Sequence, residues 1–218
     1  TRQRISMKYD VIIIGSGLGG LQCGYMLAKK GMLVCVLERA TLLGGCIQSF
    51  QRKGQTYDTG FHYVGGLEEG QPLHTLFSYY DLMGLGWQKM DNLFDEVNIN
   101  GKSFFFAQGH QAFYQTLAEQ FPHQKENLQQ YVSLLKNVGD HIFDSLHPRN
   151  TEEFYSTSLF AQSAKEFLDE TITDPLLRDV LAGCSLKMEL TPNLPLYTFA
   201  QINNSFIQSA WRLQGGGS

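Results

Sequence analysis

The sequence predicts an α/β fold on three observations made near its beginning. A β-branched run, Val11–Ile14, leads into a glycine-rich turn, and a second apolar run, Leu33–Leu37, follows one helix later and ends at Glu38. Continuous apolar runs of this length are typical of parallel strands that are covered on both faces. These features predict a strand, a helix and a second, parallel strand, with a carboxylate directly after it.

The glycine-rich turn has the spacing of a dinucleotide-binding loop. Gly15 allows a tight turn after the first strand, and Gly17 lets a pyrophosphate approach the backbone. Gly20 allows the next helix to pack closely on the strand. The phosphates are then expected at the helix N-terminus, where free N–H groups favour negative charge. A strand–turn–helix that binds nothing is the alternative that the glycine pattern alone leaves open.

The helix and the acid after it agree with this interpretation. Four residues of the predicted helix share one face: Leu18, Leu21, Tyr25 and Ala28. Gly31 follows and is typical of a helix end. Glu38 lies eighteen residues beyond Gly20, where a carboxylate can accept hydrogen bonds from ribose hydroxyls.

Composition narrows the classes of function. The chain has 218 residues, 43% of them apolar and 12% aromatic, which is enough for one sizeable core. A net charge of −4 and a pI of about 5.8 give no basis for a nucleic-acid partner. Without a run of ~20 apolar residues or an apolar segment before the first strand, we expect a cytoplasmic protein without a signal peptide.

The cysteines and histidines predict no metal site. Neither type shows the spacing of metal ligands or of a redox pair. Three of the four cysteines, Cys23, Cys35 and Cys46, lie within the predicted core, which fits a reduced protein.

A change of pattern near residue 70 predicts two domains, residues 7–70 and 71–218. The second begins with a helix over Leu73–Met83 and a hairpin whose strands, Phe94–Ile99 and Lys102–Ala107, flank Asn100-Gly101. Phe104, Phe105 and Phe106 are expected on both faces of the second hairpin strand. Packing in the core and lining of an apolar tunnel stay open for these aromatic residues.

The rest of the second domain is predicted to be helical. Two apolar stripes mark successive helices: Phe113, Leu117 and Phe121, then Leu128, Tyr131, Val132, Leu135, Val138, Ile142 and Leu146. Ser163 and Glu166 predict a capping box. Asp174-Pro175 predicts a further helix start, and a last helix is expected within Tyr197–Ser209.

Four motifs together resemble FAD-dependent oxidoreductases of the phytoene desaturase type. They are Asp10 with Gly15, Gly17 and Gly20; Glu38-Arg39; Gly44-Gly45; and Asp58-x-Gly60-Phe61-His62. The branch of carotenoid isomerases and all-trans-retinol 13,14-reductases (retinol saturases) is the most similar, and residues 209–218 also resemble it. The resemblance implies a Rossmann-like FAD/NAD(P)-binding βαβ unit with an inserted α+β, mainly helical substrate lobe. Since members of the family are longer, we expect the chain to be an N-terminal portion, truncated at its C-terminus.

The resemblance also implies the cofactor-binding residues. The FAD pyrophosphate is expected among Gly15, Gly17, Leu18, Gly19 and Gly20, and Ser16 is expected to be a further cofactor-binding residue. Glu38 is expected to hold the adenosine ribose, with Arg39 beside it. Gly44, Gly45 and Cys46 are expected along the ribityl chain and ring, and Gly60 beside the isoalloxazine.

Two residues near this predicted site carry open alternatives. His62 is either a polar group that orients substrate or relays a proton, or a partly buried histidine in a glycine-rich turn. Cys46 is interpreted as a small buried thiol, with redox activity or a covalent link to flavin as the alternative.

The resulting hypothesis is an FAD-dependent oxidoreductase that acts on C–C or C=C bonds of a hydrophobic polyene or isoprenoid. The alternatives are an amine-oxidase-like flavoenzyme and a flavin-binding fragment without turnover. A hydrophobic small molecule is the expected partner, and contact with a membrane surface is left open. The electron donor or acceptor is not predicted.

Overall fold

The computed structural model describes residues 8–143, 155–183 and 191–216. The chain divides into two compact units. The first unit comprises residues 1–63 and 212–218, and the second comprises residues 64–211.

The first unit contains the predicted strand–helix–strand. Strand β1 (Val11–Ile14) leads through the glycine turn into helix α1 (Leu18–Lys29), and β2 (Val34–Leu37) pairs with β1 in parallel. The α/β class and the Rossmann-like unit are therefore confirmed. A 3-10 helix, Gly45–Ile47, and an antiparallel hairpin of β3 (Ser49–Arg52) and β4 (Gln55–Asp58) follow.

Two expectations for the packing of this unit are wrong. Ile12 and Ile14 are 60% and 89% exposed, so the described residues cover only one face of β1. The predicted apolar face of α1 is not the buried one either, since Leu18 is 61% exposed. The helix instead meets the sheet through Gly20 and Gly24, which approach Ile13, because only glycine allows so short a separation.

The second unit combines short strands with a helical core. Its elements are β5 (Val64–Gly65), α2 (Pro72–Tyr79), β6 (Trp87–Lys89), β7 (Leu93–Ile99), β8 (Lys102–Ala107), α3 (His110–Gln120), a 3-10 helix (Pro122–Gln124), α4 (Lys125–Asp140), α5 (Tyr155–Ala161), α6 (Ala164–Thr171), α7 (Pro175–Gly183) and α8 (Leu196–Gln208). Strand β9 (Ala210–Leu213) begins in this unit, and its last two residues are counted with the first unit. Three strands form a sheet in the order β5-β9-β6.

The predicted hairpin is confirmed. Strands β7 and β8 pair in an antiparallel arrangement, and Asn100 and Gly101 both have positive φ at the turn. Phe104 and Phe106 are fully buried, whereas Phe105 lies on the other face and is 36% exposed. The two buried rings pack in the core of the second unit.

The helical predictions are confirmed in most positions. Both apolar stripes are buried as far as Val138, and Ser163 accepts the N-cap hydrogen bond from the Glu166 N–H at 3.3 Å. Asp174 caps α7 by accepting from two backbone N–H groups. Helix α2 ends at Tyr79, earlier than predicted. Leu146 lies outside the described residues.

No helix within the described ranges is long and apolar enough to cross a lipid bilayer.

Candidate dinucleotide-binding site

The glycine turn leaves open space where a ligand must approach. A Cβ atom built on Gly15, Gly17 or Gly19 would meet nothing within 4 Å. Gly15 has a φ of +99°, which only glycine adopts readily. Gly17 is the N-cap of α1 and has no side-chain cap, so the N-terminal N–H groups of this helix are available to an anion.

At Gly20, in contrast, there is no room for a side chain. A Cβ atom at this position would lie 2.1 Å from the carbonyl oxygen of Gly15 and 3.5 Å from Cγ2 of Ile13. The glycine therefore sets the distance between α1 and the end of β1, as the sequence predicts for the third glycine of the turn.

Glu38 follows β2 and points to the glycine turn. Its Oε2 accepts hydrogen bonds from the Ser16 N–H at 2.8 Å and the Ser16 hydroxyl at 2.7 Å, and its Oε1 accepts from the Ala40 N–H at 2.8 Å. These donors, first the Ala40 N–H and then the Ser16 groups, lower the pKa of Glu38 to about 2. The carboxylate is therefore fixed in place and ionised at neutral pH.

The glycine pair is brought to the same place. Gly44 and Gly17 form an isolated parallel bridge, and the Gly44 N–H donates to the Ser16 carbonyl oxygen at 3.0 Å. Gly44 and Gly45 have φ values of +102° and +57°, and a Cβ on Gly45 would lie 3.0 Å from Cα of Gly17. The fold thus brings together the glycine turn, Glu38 and the glycine pair.

Other predicted site residues lie further along this unit. A Cβ on Gly60 would lie 3.1 Å from the Cys46 carbonyl oxygen, and the Thr59 hydroxyl donates to the same oxygen at 2.9 Å. Arg39 and His62 are exposed. A cofactor contact for Gly60, Arg39 or Cys46, and a catalytic role for His62, stay predictions.

The interpretation of Cys46 as a buried thiol is wrong, and so is the expected core position of Cys23. Both are exposed free cysteines, and Cys35 is half-buried. The reason is that Cys46 lies on a short 3-10 helix outside the sheet, and Cys23 lies on α1 away from Gly20 and Gly24.

Two links in this unit were not recognised from the sequence. The Ser16 side chain connects Glu38 to the glycine pair, and the Asp10 carboxylate accepts from the Leu33 N–H at 2.8 Å, which holds the start of β2. The position of Ser16 between two glycines was the sequence signal that could have indicated its link to Glu38 and the glycine pair. Among the described residues, no group of three or more His, Cys, Asp or Glu side chains is placed to hold a metal ion.

Comparison with known proteins also indicates a dinucleotide-binding unit in this part of the chain. The model of the NAD(P)-binding Rossmann-like domain matches residues 13–80. Human all-trans-retinol 13,14-reductase is 36% identical over 140 residues, or 62% of this chain and 23% of the reductase. The rat reductase is 29% identical over 235 residues, covering 99% of this chain and 39% of its own length. Carrot prolycopene isomerase is 30% identical over 153 residues, which are 68% of this chain and 24% of the isomerase.

The similarity to all-trans-retinol 13,14-reductases and prolycopene isomerases supports the assignment of the chain to their family. The chain spans about a quarter to two fifths of the length of these relatives. Among solved structures, cyclohexylamine oxidase from Brevibacterium oxydans is similar over 97% of this chain and 47% of the oxidase, with a TM-score of 0.58 at 20% identity. Identity at that level shows a common fold.

Replacing Glu38 with glutamine is expected to lower the stability of the first unit at neutral pH but not in acid. The pKa of Glu38 in the folded chain is about 2, below its ordinary 4.5, so the carboxylate stabilises the fold fully above 4.5. That contribution is lost as the pH falls toward 2. Thermal unfolding of both proteins, followed by circular dichroism from neutral pH to about 2.5, tests this. A difference in Tm that stays constant throughout contradicts it.

Proposed function

We propose that this chain is the dinucleotide-binding part of an FAD-dependent oxidoreductase that acts on C–C or C=C bonds of a hydrophobic polyene or isoprenoid. The observation that carries the proposal is the convergence of the glycine turn, Glu38 and the Gly44–Gly45 pair in one unit. The relatives named for activity on all-trans-retinol and on prolycopene suggest the substrate class.

The residues of the first unit fit FAD. The open space beside Gly15, Gly17 and Gly19 suits a pyrophosphate at the N-terminus of α1. The ionised, immobile Glu38 suits the hydroxyl groups of a ribose, and it opposes a 2′-phosphate by like charge. The positive φ values of Gly44 and Gly45 let the backbone lie close to a flat ligand.

When bound, FAD supplies hydride chemistry at carbon, so the protein provides no nucleophile. The chain would bind and orient the cofactor: Glu38 would hold the ribose, and the N-terminus of α1 would offset the charge of the phosphates. His62, which is exposed, is proposed to hold or relay the proton that accompanies saturation of a double bond. The direction of the reaction, saturation, desaturation or isomerisation, follows from the substrate and the electron partner.

An amine-oxidase-like activity is the second candidate, and it has weaker support. The cyclohexylamine oxidase and putrescine oxidase structures resemble the chain at 20% identity, which carries the fold alone. The polyene-related proteins match at 29–36% identity. A flavin-binding chain without turnover is the remaining alternative, because the alignments cover less than half of each relative.

Flavin retention is the first test of this function. The chain is mixed with FAD and desalted, and its visible absorption spectrum is recorded. We expect retained flavin bands, because the N-terminus of α1 is proposed to bind the pyrophosphate and Glu38 the ribose of the adenosine diphosphate moiety. Gly20→Ala, which is expected to unfold the first unit, is the negative control and is expected to lose the bands. A spectrum without flavin in the unchanged chain contradicts the proposal.

The substrate class is tested on the flavin-loaded protein. The flavin is reduced with light under anaerobic conditions, and a retinoid polyene or an aliphatic amine is added to the reduced and oxidised forms. Reoxidation by the polyene supports the proposed function. Reduction of the oxidised form by the amine alone favours the second candidate. No flavin response to either compound, together with a recovered polyene whose double bonds have not isomerised, favours a binding role.

A further inference from the structure

Ser16 joins parts of the proposed dinucleotide site that lie up to 28 residues apart in sequence. Its N–H and its hydroxyl both donate to Oε2 of Glu38, at 2.8 and 2.7 Å. The Gly44 N–H donates to the Ser16 carbonyl oxygen at 3.0 Å and approaches the hydroxyl oxygen at 3.3 Å. A single residue therefore contacts both the acid and the glycine pair.

The Ser16 side chain faces the protein. Ser16 is 1% exposed, so its hydroxyl does not reach a ligand directly. The hydroxyl donates its one hydrogen to Glu38 and uses a lone pair to accept from Gly44, which occupies it in both roles. Any effect of this hydroxyl on a ligand must therefore pass through its two neighbours.

The hydrogen bonds that Glu38 already accepts determine which of its acceptor positions remain for a ligand. An ionised carboxylate has about four acceptor positions, two on each oxygen. The two Ser16 donors occupy Oε2, and the Ala40 N–H takes one position on Oε1. The Arg39 N–H also lowers the pKa of Glu38, but it contributes least among these donors. Since the Ala40 N–H is the donor whose hydrogen bond to Oε1 has normal geometry, Oε1 keeps an acceptor position, and the two Ser16 hydrogen bonds hold the orientation of the carboxylate.

Building on the function proposed above, we propose that Ser16 is a positioning residue for the nucleotide ribose. By holding Oε2 of Glu38, it keeps the remaining acceptor position on Oε1 available to a ribose hydroxyl. The preference of the chain for ribose over 2′-deoxyribose nucleotides therefore depends on Ser16. The same hydroxyl stabilises the Gly44 end of the glycine pair.

The test compares two nucleotides on the 218-residue chain and its Ser16→Ala variant. Titration calorimetry gives the Kd for ADP and for 2′-deoxy-ADP. The unchanged chain is expected to prefer ADP about tenfold, since the lost hydrogen bond is to a charged group. In Ser16→Ala this preference for ADP is expected to fall about fivefold, to about twofold. The Kd for 2′-deoxy-ADP is expected to stay within about twofold of its value in the unchanged chain. If the role of Ser16 were purely structural, the variant would bind both nucleotides more weakly by the same factor, and the ratio of the two Kd values would stay unchanged.

Ser103→Ala is the matched control. The Ser103 hydroxyl also donates to a glutamate, Glu96, but within the β7–β8 hairpin of the second unit. This variant is expected to keep the nucleotide preference. Hydrogen exchange at the Gly44 amide gives a second measurement without ligand, and it is expected to speed up several-fold in Ser16→Ala. Ser16→Gly, which also lacks the hydroxyl, is used if Ser16→Ala does not fold.

The outcomes separate the two proposals. If the nucleotide preference survives the loss of the hydroxyl, the role of Ser16 is overturned and the FAD site stands. If the unchanged chain binds both nucleotides without preference, the role of Ser16 is overturned as well. If the unchanged chain binds neither ADP nor FAD, the proposed function fails together with this inference.

Discussion

Replacing Gly20 with alanine is expected to unfold the first unit and abolish dinucleotide binding. The new Cβ atom would lie 2.1 Å from the Gly15 carbonyl oxygen and 3.1 Å from its carbonyl carbon, both of which belong to the backbone. A backbone atom cannot move aside as a flexible side chain does, so α1 must shift away from β1. We expect a loss of about 3 kcal/mol or more in the free energy of unfolding, measured by chemical denaturation.

Gly19→Ala provides the matched control for this prediction. A Cβ atom on Gly19 would meet nothing within 4 Å, although the residue is adjacent in the same helix. Its effect on stability is expected within about 0.5 kcal/mol of zero or slightly favourable, because alanine is the better helix former. Equal destabilisation by both substitutions would show that the close approach of Gly20 to Gly15 does not limit the packing of α1.

Replacing Gly65 with alanine is expected to have a similar effect on the second unit. Its Cβ atom would lie 2.1 Å from the Ser205 carbonyl oxygen and 2.4 Å from the Phe206 nitrogen. Strand β5 therefore passes directly against the backbone of α8, a helix whose buried residues include Phe199 and Ile207. Separating the two elements would open this core, so we expect a loss of about 3 kcal/mol or more in the free energy of unfolding.

Both tryptophans, Trp87 and Trp211, lie in the second unit, so indole fluorescence during denaturation reports on it. Gly84→Ala is the control, because a Cβ atom there would meet nothing within 4 Å. An unfolding midpoint for Gly65→Ala equal to that of the control would contradict the packing of β5 on α8.

Local chemistry explains which sequence predictions succeeded. The Asn100-Gly101 turn, the Ser163 and Asp174 caps and the strand–helix–strand each depend on residues close together in sequence. A turn type or a cap is decided by the backbone preferences and hydrogen-bonding groups of a few neighbours. The same holds for the glycine turn, in which each glycine has its own steric reason.

Packing over longer distances explains the errors. Periodicity placed Leu18 and Leu21 on the buried face of α1, but Gly20 and Gly24 bring the helix to the sheet. Likewise, the apolar run of β1 predicted cover on both faces, whereas the described residues cover one. The number of strands and helices packed on an element is a property of the assembled structure, so a local run of residues does not contain it.

By itself, the sequence determined the parallel β1–α1–β2 unit, the glycine turn and the position of Glu38 after the second strand. Only the tertiary structure decided that the Ser16 hydroxyl lies between Glu38 and Gly44, and that Gly45 packs on Gly17. The physical reason is that hydrogen bonds and close contacts between residues more than twenty positions apart depend on where the fold places them. Spacing along the chain predicts which groups are present, and the fold determines which of them meet.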